Sequence, residues 1–336
     1  MIGSEMPTRR AILKYGLQAG SILAAGWPSA CRGQPDSGGS VPAGDSRIVI
    51  SREVRFAAGS AGPDQDAVLR ILDRAIQKFY DRDNPTDAWK QLARPGEVVG
   101  LKVNCLAGRG ISTHPQLVDA ICERLQQAGI RDIVIWDRLN DDLESAGFRI
   151  TEKGTAVRCL GNDTTGYEPE LSVYGSVGSL VASNLTRVCD AVINLPVLKD
   201  HGITGITGAL KNMFGAIHNP NKYHLNAGNP YIADVNMLAP IRQKVRLTIC
   251  DAFTAQYEGG PSHMPQWAWP YNGLIVGRDP VALDYVCWQI IEKKRAEKGI
   301  PPLRLVKREP VYIATAADAQ HRLGTCDPGR IRLVEI

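Results

Sequence analysis

No two of the eight cysteines stand in C-x-x-C spacing. The usual zinc and iron–sulfur ligand patterns are therefore missing. None of the six histidines belongs to an H-E-x-x-H stretch, and the loop NCLAGRGIST after Val103 is not G-x-G-x-x-G, so neither a zincin-type site nor a dinucleotide fingerprint is written there. Long apolar runs are absent as well. The stretch from Tyr15 to Trp27 is interrupted by Gln18 and Ser21 and falls short of the roughly 20 residues that a membrane-spanning helix needs. Nor does one sign of charge dominate. Without residues 1–31 the chain keeps 36 basic and 34 acidic side chains, and this balance argues against a nucleic-acid partner, which would call for a basic face.

Composition points instead to a folded chain. Of 336 residues, 44% are hydrophobic and 22% charged, enough for one large or two ordinary domains with a proper core. At the N-terminus, TRRAILK (8–14) followed by a mildly apolar Gly/Ala-rich run resembles a twin-arginine export signal. The expected organisation is a signal peptide over 1–31, a Gly/Ser/Pro-rich linker over 32–46, and an α/β domain over 47–336 that is either single or split into two subdomains. The export machinery of the twin-arginine route is then a partner, and the location is periplasmic or envelope-associated. Cys31, preceded by Ser29 and Ala30, stands where a lipoprotein cysteine would, although Pro28 replaces the usual Leu; a lipid anchor is left open. The other seven cysteines sit in apolar runs such as LTICDAF and read as small buried thiols.

From Arg47 onward strand and helix patterns alternate. Strands are expected over Arg47 to Phe56, Val98 to Val103, Asp132 to Trp136, Ala191 to Leu195, Arg246 to Cys250 and Gly273 to Val276, with helices over Asp64 to Tyr80, from His114-Pro115, near Asp141 to Ala146, over Tyr231 to Lys244 with a break at Pro240, and after the Asp279-Pro280 cap. Such alternation predicts an α/β fold: a mostly parallel open sheet with helices on both faces, built from Rossmann-like βαβ units. In open sheets of this kind ligands bind beyond the carboxyl ends of the strands. That rule gathers Asn104, His114, Lys199 and Asp251 at one edge, with Lys102 either reaching the same place or snorkelling. About 20 residues after Asp251 read as a long binding loop.

The stretch NLPVLKDHGITGITGALKNMFGAIHN (194–219) is the most informative. At helical spacing Ile203, Ile206, Leu210, Met213, Phe214 and Ile217 share one face, while Thr204, Gly208, Lys211 and Gly215 line the other and Thr207 its edge. Glycines on an open helix face suggest a close neighbour, and hydroxyls, a helix start and lysines favour negative charge. An anion site follows, with Lys199, Thr204, Thr207 and Lys211 as ligands and Asn104 and Asn212 orienting. His201 or His224, with Asp251, would supply acid–base chemistry. A metal held by His114, His201, His218 or His224 with Asp251 or Asp284 is left open, as is the cofactor.

The segments LKVN (101–104), THPQLVDAICERLQQAGIRDIVIWD (113–137), INLPVLKDHGITGITGALKNMFG (193–215), DAF and QYEGGP (251–261), and GRDPVALDYV (277–286) resemble the family called domain of unknown function 362. The resemblance implies an α/β fold and, in many members, an attached ferredoxin-like segment whose cysteines are missing here. Taken together, the expected function is an exported protein binding a small anionic substrate or cofactor in an α/β cleft. It would be an enzyme using Lys, His and Asp, with redox or metal dependence open. The alternative is a non-catalytic extracytoplasmic ligand-binding, cofactor-binding or maturation protein.

Overall fold

Along the strands, alternate side chains enter two different cores. Ile48, Val134, Trp136, Val192 and Cys250 belong to one, and Val49, Ile133, Ile135, Ile193 and Ile249 to the other. Period-two alternation with both sets apolar requires a sheet covered on both faces. The computed structural model describes residues 45–53, 62–154 and 156–336. The expected signal peptide, Cys31 and nearly all of the linker lie outside them.

The strands are β1 (Ser46–Arg52), β2 (Val98–Lys102), β3 (Asp132–Trp136), β4 (Val157–Cys159), β5 (Ser172–Tyr174), β6 (Val177–Ser179), β7 (Ala191–Asn194), β8 (Val197–His201), β9 (Gly205–Ile206), β10 (Val245–Gln256), β11 (Ala268–Gly277) and β12 (Ile331–Glu335). The main sheet runs β12-β1-β11-β10-β7-β2-β3-β4. β4, β3, β2, β7 and β10 are mutually parallel, β11 is antiparallel to both of its neighbours, and β8 pairs with β10 beyond the end of β7. The fold is thus α/β with a mostly parallel sheet flanked by helices. Helices α1 (Gln65–Tyr80) and α2 (Pro115–Gln127) cover one face; α3 (Asn140–Ala146) follows β3; α4 (Gly208–Asn212), α5 (Tyr231–Met237) and α6 (Pro280–Glu297) contribute to the other core. Asp64 accepts from the Ala67 N–H at the start of α1, and Asp279 from those of Val281 and Ala282 at the start of α6. No helix among the described residues is long and apolar enough to cross a membrane.

Two expectations need correction. Residues 203–217 are not one helix. After β8 the chain turns and returns as β9, with Asp200 opposite Ile206 and His201 opposite Gly205, and only from Gly208 does it become helical. Gly205 (φ +85°) and Gly208 (φ +55°) take left-handed conformations that glycine adopts freely and that interrupt a right-handed helix. Likewise, the long loop expected after Asp251 is largely strand: β10 continues through DAFTAQ to Gln256, with a bulge between Ala252 and Thr254, and pairs with the early part of β11. The seven cysteines after Cys31 are all buried.

Asp284 of α6 has no exposed surface and accepts the N–H groups of Ala209 and Leu210, so it caps α4 from a neighbouring helix. Burial nonetheless pushes its carboxyl up to about 8. Gly208 leaves the room it needs, because a Cβ there would stand 2.3 Å from Asp284 Oδ1. Replacing Asp284 with Ala strands two buried N–H groups at about 1–3 kcal/mol each. Urea unfolding of Asp284→Ala should therefore show a loss of at least about 2 kcal/mol with an unchanged slope; parent-like stability would contradict the capping role.

Candidate functional site

The carboxyl ends of β2, β3 and β8, together with α4, open into a cavity of about 580 Å³. Its lining includes Lys102 and Asn104 from the end of β2, Asp137 and Arg138 after β3, Lys199 and His201 on β8, Thr207, Lys211 and Asn212 around α4, and His224. Those elements converge because parallel strands all point their carboxyl ends the same way, and register aligns Lys102 with Asn194 and with Trp136.

Three lysines reach the cavity, each almost fully buried. Lys102 is paired: Nζ lies 2.7 Å from Asp137 Oδ1 and 2.7 Å from the Val103 carbonyl. It therefore does not snorkel. A Cβ at Gly215 would stand 2.7 Å from this amine, so that glycine, too, makes room for protein. Lys199 Nζ donates to the Ile111 carbonyl at 2.9 Å and has no carboxylate partner among the described residues. Lys211 sits with Nζ 4.7 Å from the centre of the Phe214 ring and donates to no acceptor among them. Burial pulls Lys199 down to about 8 and, with the neighbouring Lys199 charge added, pulls Lys211 down to about 7.

Around these amines sit polar groups with unused capacity. Asn104 Nδ2 donates to Asn212 Oδ1 at 3.0 Å, and Asn212 Nδ2 to Asn194 Oδ1 at 2.7 Å, a row that fixes all three amides. Asn104 Oδ1 and Thr207 Oγ1 are buried without a partner among the described residues. His201 and His224 stack with ring centroids 5.5 Å apart and planes 24° from parallel. Nδ1 of His201 accepts the N–H groups of Ile203 (3.2 Å) and Thr204 (3.3 Å), which assigns the proton of the neutral ring to Nε2. Burial first, then Lys211 and His224, drives its pKa down to about 2. Burial and Lys211 also lower that of His224.

Not every expected site residue meets in the cavity. Thr204 is buried with its hydroxyl donating to the Ile206 carbonyl in its own turn. His114 and Asp251 lie outside the lining and hold each other: Asp251 Oδ2 accepts both the His114 N–H (2.8 Å) and its ring Nδ1 (2.9 Å), while Oδ1 accepts from Phe253 N. Burial lowers the His114 pKa, but the Asp251 charge and hydrogen bond outweigh it, and the net shift is upward. The His218 ring packs edge-on against Tyr167 instead. Among the described residues, no three His, Cys, Asp or Glu side chains are grouped to hold a metal ion. Conversely, Asp137 and Arg138 line the cavity without having been singled out. The strand end IVIWD carried the signal, since the rule that selected Asn104 selects Asp137 equally.

The tautomer of His201 is directly observable. Nitrogen-15 spectra should show its ring as Nε2–H and unchanged from pH 8 to pH 5, whereas titration near 6.5 would contradict the backbone-to-Nδ1 hydrogen bonds.

The thylakoid-associated protein sll1697 of Synechocystis sp. is 27% identical over 264 residues, 71% of this chain and 72% of that protein. A crystal structure of a Thermotoga maritima protein shares 11% identity at a TM-score of 0.42, covering 72% of this chain and 60% of its own. Residues 99–289, which include the cavity from Lys102 to Pro261, match the family described as Domain of unknown function (DUF362), and the chain belongs to that family.

Proposed function

We propose that the protein is exported and binds a small anionic substrate or cofactor in this cavity, acting on it as an enzyme. The observation that carries the reading is the pair Lys199 and Lys211: two buried amines with no carboxylate partner among the described residues, beside the unpaired Thr207 hydroxyl. Each amine is destabilised as an ammonium by its surroundings, and an anion between them would supply the missing counter-charge. Thr207 Oγ1–H and the Nε2–H of His201 add donors to the same anion. In this role His201 is a neutral hydrogen-bond donor rather than a base. Proton transfer falls to Lys211 and His224, because an amine near 7 exchanges a proton readily at neutral pH.

A second reading is favoured by one feature. The His114–Asp251 pair, the arrangement best suited to proton relay, lies outside the cavity lining. A carrier that captures an anionic cofactor without chemistry needs only the lysines and hydroxyl. If a small molecule extracted from protein purified from its native envelope is the same one loaded and stays unaltered on incubation, the carrier reading stands and the enzyme reading falls.

Export rests on TRRAILK, and the thylakoid-associated description of the Synechocystis relative fits an envelope location. Changing Arg9 and Arg10 to Lys should leave the protein in the cytoplasm on fractionation; export unchanged by both substitutions would contradict the twin-arginine route.

Sulfate, which does not titrate near neutrality, is a suitable probe of the anion site. A hydrogen bond to a charged group contributes about 1.5–3 kcal/mol, so Lys211→Ala should weaken sulfate binding roughly 10- to 150-fold at pH 6.5. Stability should not suffer, since the change removes an ammonium that is costly to bury. A depressed amine pKa contributes stability that is lost as pH falls through about 7, and the parent should therefore lose melting temperature from pH 8 to pH 6 while Lys211→Ala loses less. Unaltered sulfate affinity in the variant would overturn the assignment.

A further inference from the structure

The cavity is far larger than a small anion. At about 580 Å³ it falls within the range of roughly 300–1,000 Å³ that holds whole cofactors or drug-sized ligands, whereas a sulfate-sized group would occupy only a minor part. Two apolar side chains, Leu106 and Ile203, line it and are exposed, at 56% and 50%. Scattered exposed apolar residues are ordinary on protein surfaces. These two differ in lining the cavity on backbone that hydrogen bonds hold in place.

The Ile203 turn is fixed from both sides. His201 Nδ1 accepts the Ile203 N–H, and Gly202 N donates to the Gly260 carbonyl at 2.7 Å, which ties the turn to the Gly260-Pro261 segment of the same lining. Asp200 Oδ1 in turn accepts the Gly260 N–H at 2.8 Å. Leu106 follows Cys105, whose N–H is held by Asp137 Oδ2 at 2.8 Å and whose carbonyl accepts from Gly108 N at 3.1 Å. Asp137 is itself pinned by Lys102. Lys102, Asp137 and His201, which line the cavity, therefore also fix the backbone that carries Leu106 and Ile203. Phe214, whose ring lies against Lys211 Nζ, and the rings of Pro220 and Pro261 add further apolar surface to the lining.

We infer that the ligand is amphipathic: an anionic head seated at Lys199, Lys211 and Thr207, carrying an apolar body that lies against Leu106, Ile203 and Phe214. This rests on the anion reading above and adds the chemical class of the rest of the ligand. Free inorganic anions and short polar acids would fill the floor and leave the rim wet.

A series of n-alkyl sulfonates, from methane- to hexanesulfonate, separates the two ideas by titration calorimetry on the full chain. Each methylene buried should tighten binding about fourfold, and the gain should level off once the chain passes the rim. Leu106→Ser and Ile203→Ser, both at exposed positions, should leave methanesulfonate affinity within about twofold and weaken hexanesulfonate tenfold or more. Affinity independent of chain length, with methanesulfonate still bound and weakened by Lys211→Ala, would overturn the amphipathic inference and leave the anion site standing. Failure of every sulfonate to bind would overturn both. Chain-length dependence unaffected by either serine variant would put the apolar contact elsewhere and overturn the inference as well.

Discussion

Buried ammonium groups without a counter-charge set the terms for this molecule. Lys102, Lys199 and Lys211 come together in the cavity at the carboxyl ends of parallel strands, and among the described residues only Lys102 is paired with a carboxylate, Asp137. A lysine carried into an apolar interior either pairs, loses its proton or waits for a partner. Lys102 pairs. The other two sit at about 8 and about 7, close enough to neutral that a bound anion can tip both to the charged form. On the anion-site reading proposed above, such an arrangement would favour an anionic ligand, at the expense of stability as the pH falls.

The surroundings keep that preference from being satisfied internally. Asp284 is consumed in capping α4. Asp251 is consumed by His114, and Asp200 by Gly260 N and Arg308. Asp137 serves Lys102 and two backbone N–H groups, those of Cys105 and Arg138. His201 is held neutral by the two N–H groups that its Nδ1 accepts, so it offers a donor rather than another charge. Each of these carboxylates serves the architecture, and the lining holds four Lys or Arg side chains (Lys102, Arg138, Lys199 and Lys211) against two Asp (Asp137 and Asp142).

Much of the frame was legible from patterning alone. Apolar strands separated by helices gave the parallel sheet, and the strand-end rule gathered Asn104, His114, Lys199 and Asp251 at one edge with Lys102 left open; Lys102, Asn104 and Lys199 line the cavity, whereas His114 and Asp251 lie outside its lining. The break in the Tyr231–Lys244 region falls at Leu238, which leaves Pro240 in the first turn of the second helix, where its missing N–H costs nothing. Other features were hidden for identifiable reasons. Apolar spacing from Ile203 to Ile217 matches a helix, yet Gly205 and Gly208 take positive φ, and what packs against them comes from far along the chain: the Arg308 carbonyl and Pro310 at Gly205, Asp284 at Gly208. The pairing of His114 with Asp251 crosses 137 positions and no spacing rule reaches it. Leu106 and Ile203 read as ordinary loop and core residues, because exposure at a cavity rim is a property of the folded surface alone.

Proton uptake on anion binding tests the idea of an unfinished lysine pair most directly. At pH 8 the free protein holds Lys199 about half protonated and Lys211 mostly neutral, so sulfate, which brings no proton of its own, should draw about one proton into the complex. Calorimetric titration in buffers of different ionisation enthalpy measures that number. Uptake of about one proton at pH 8, falling toward zero at pH 6, is the predicted result. Sulfate binding with no proton uptake at pH 8, or with proton release, would contradict it.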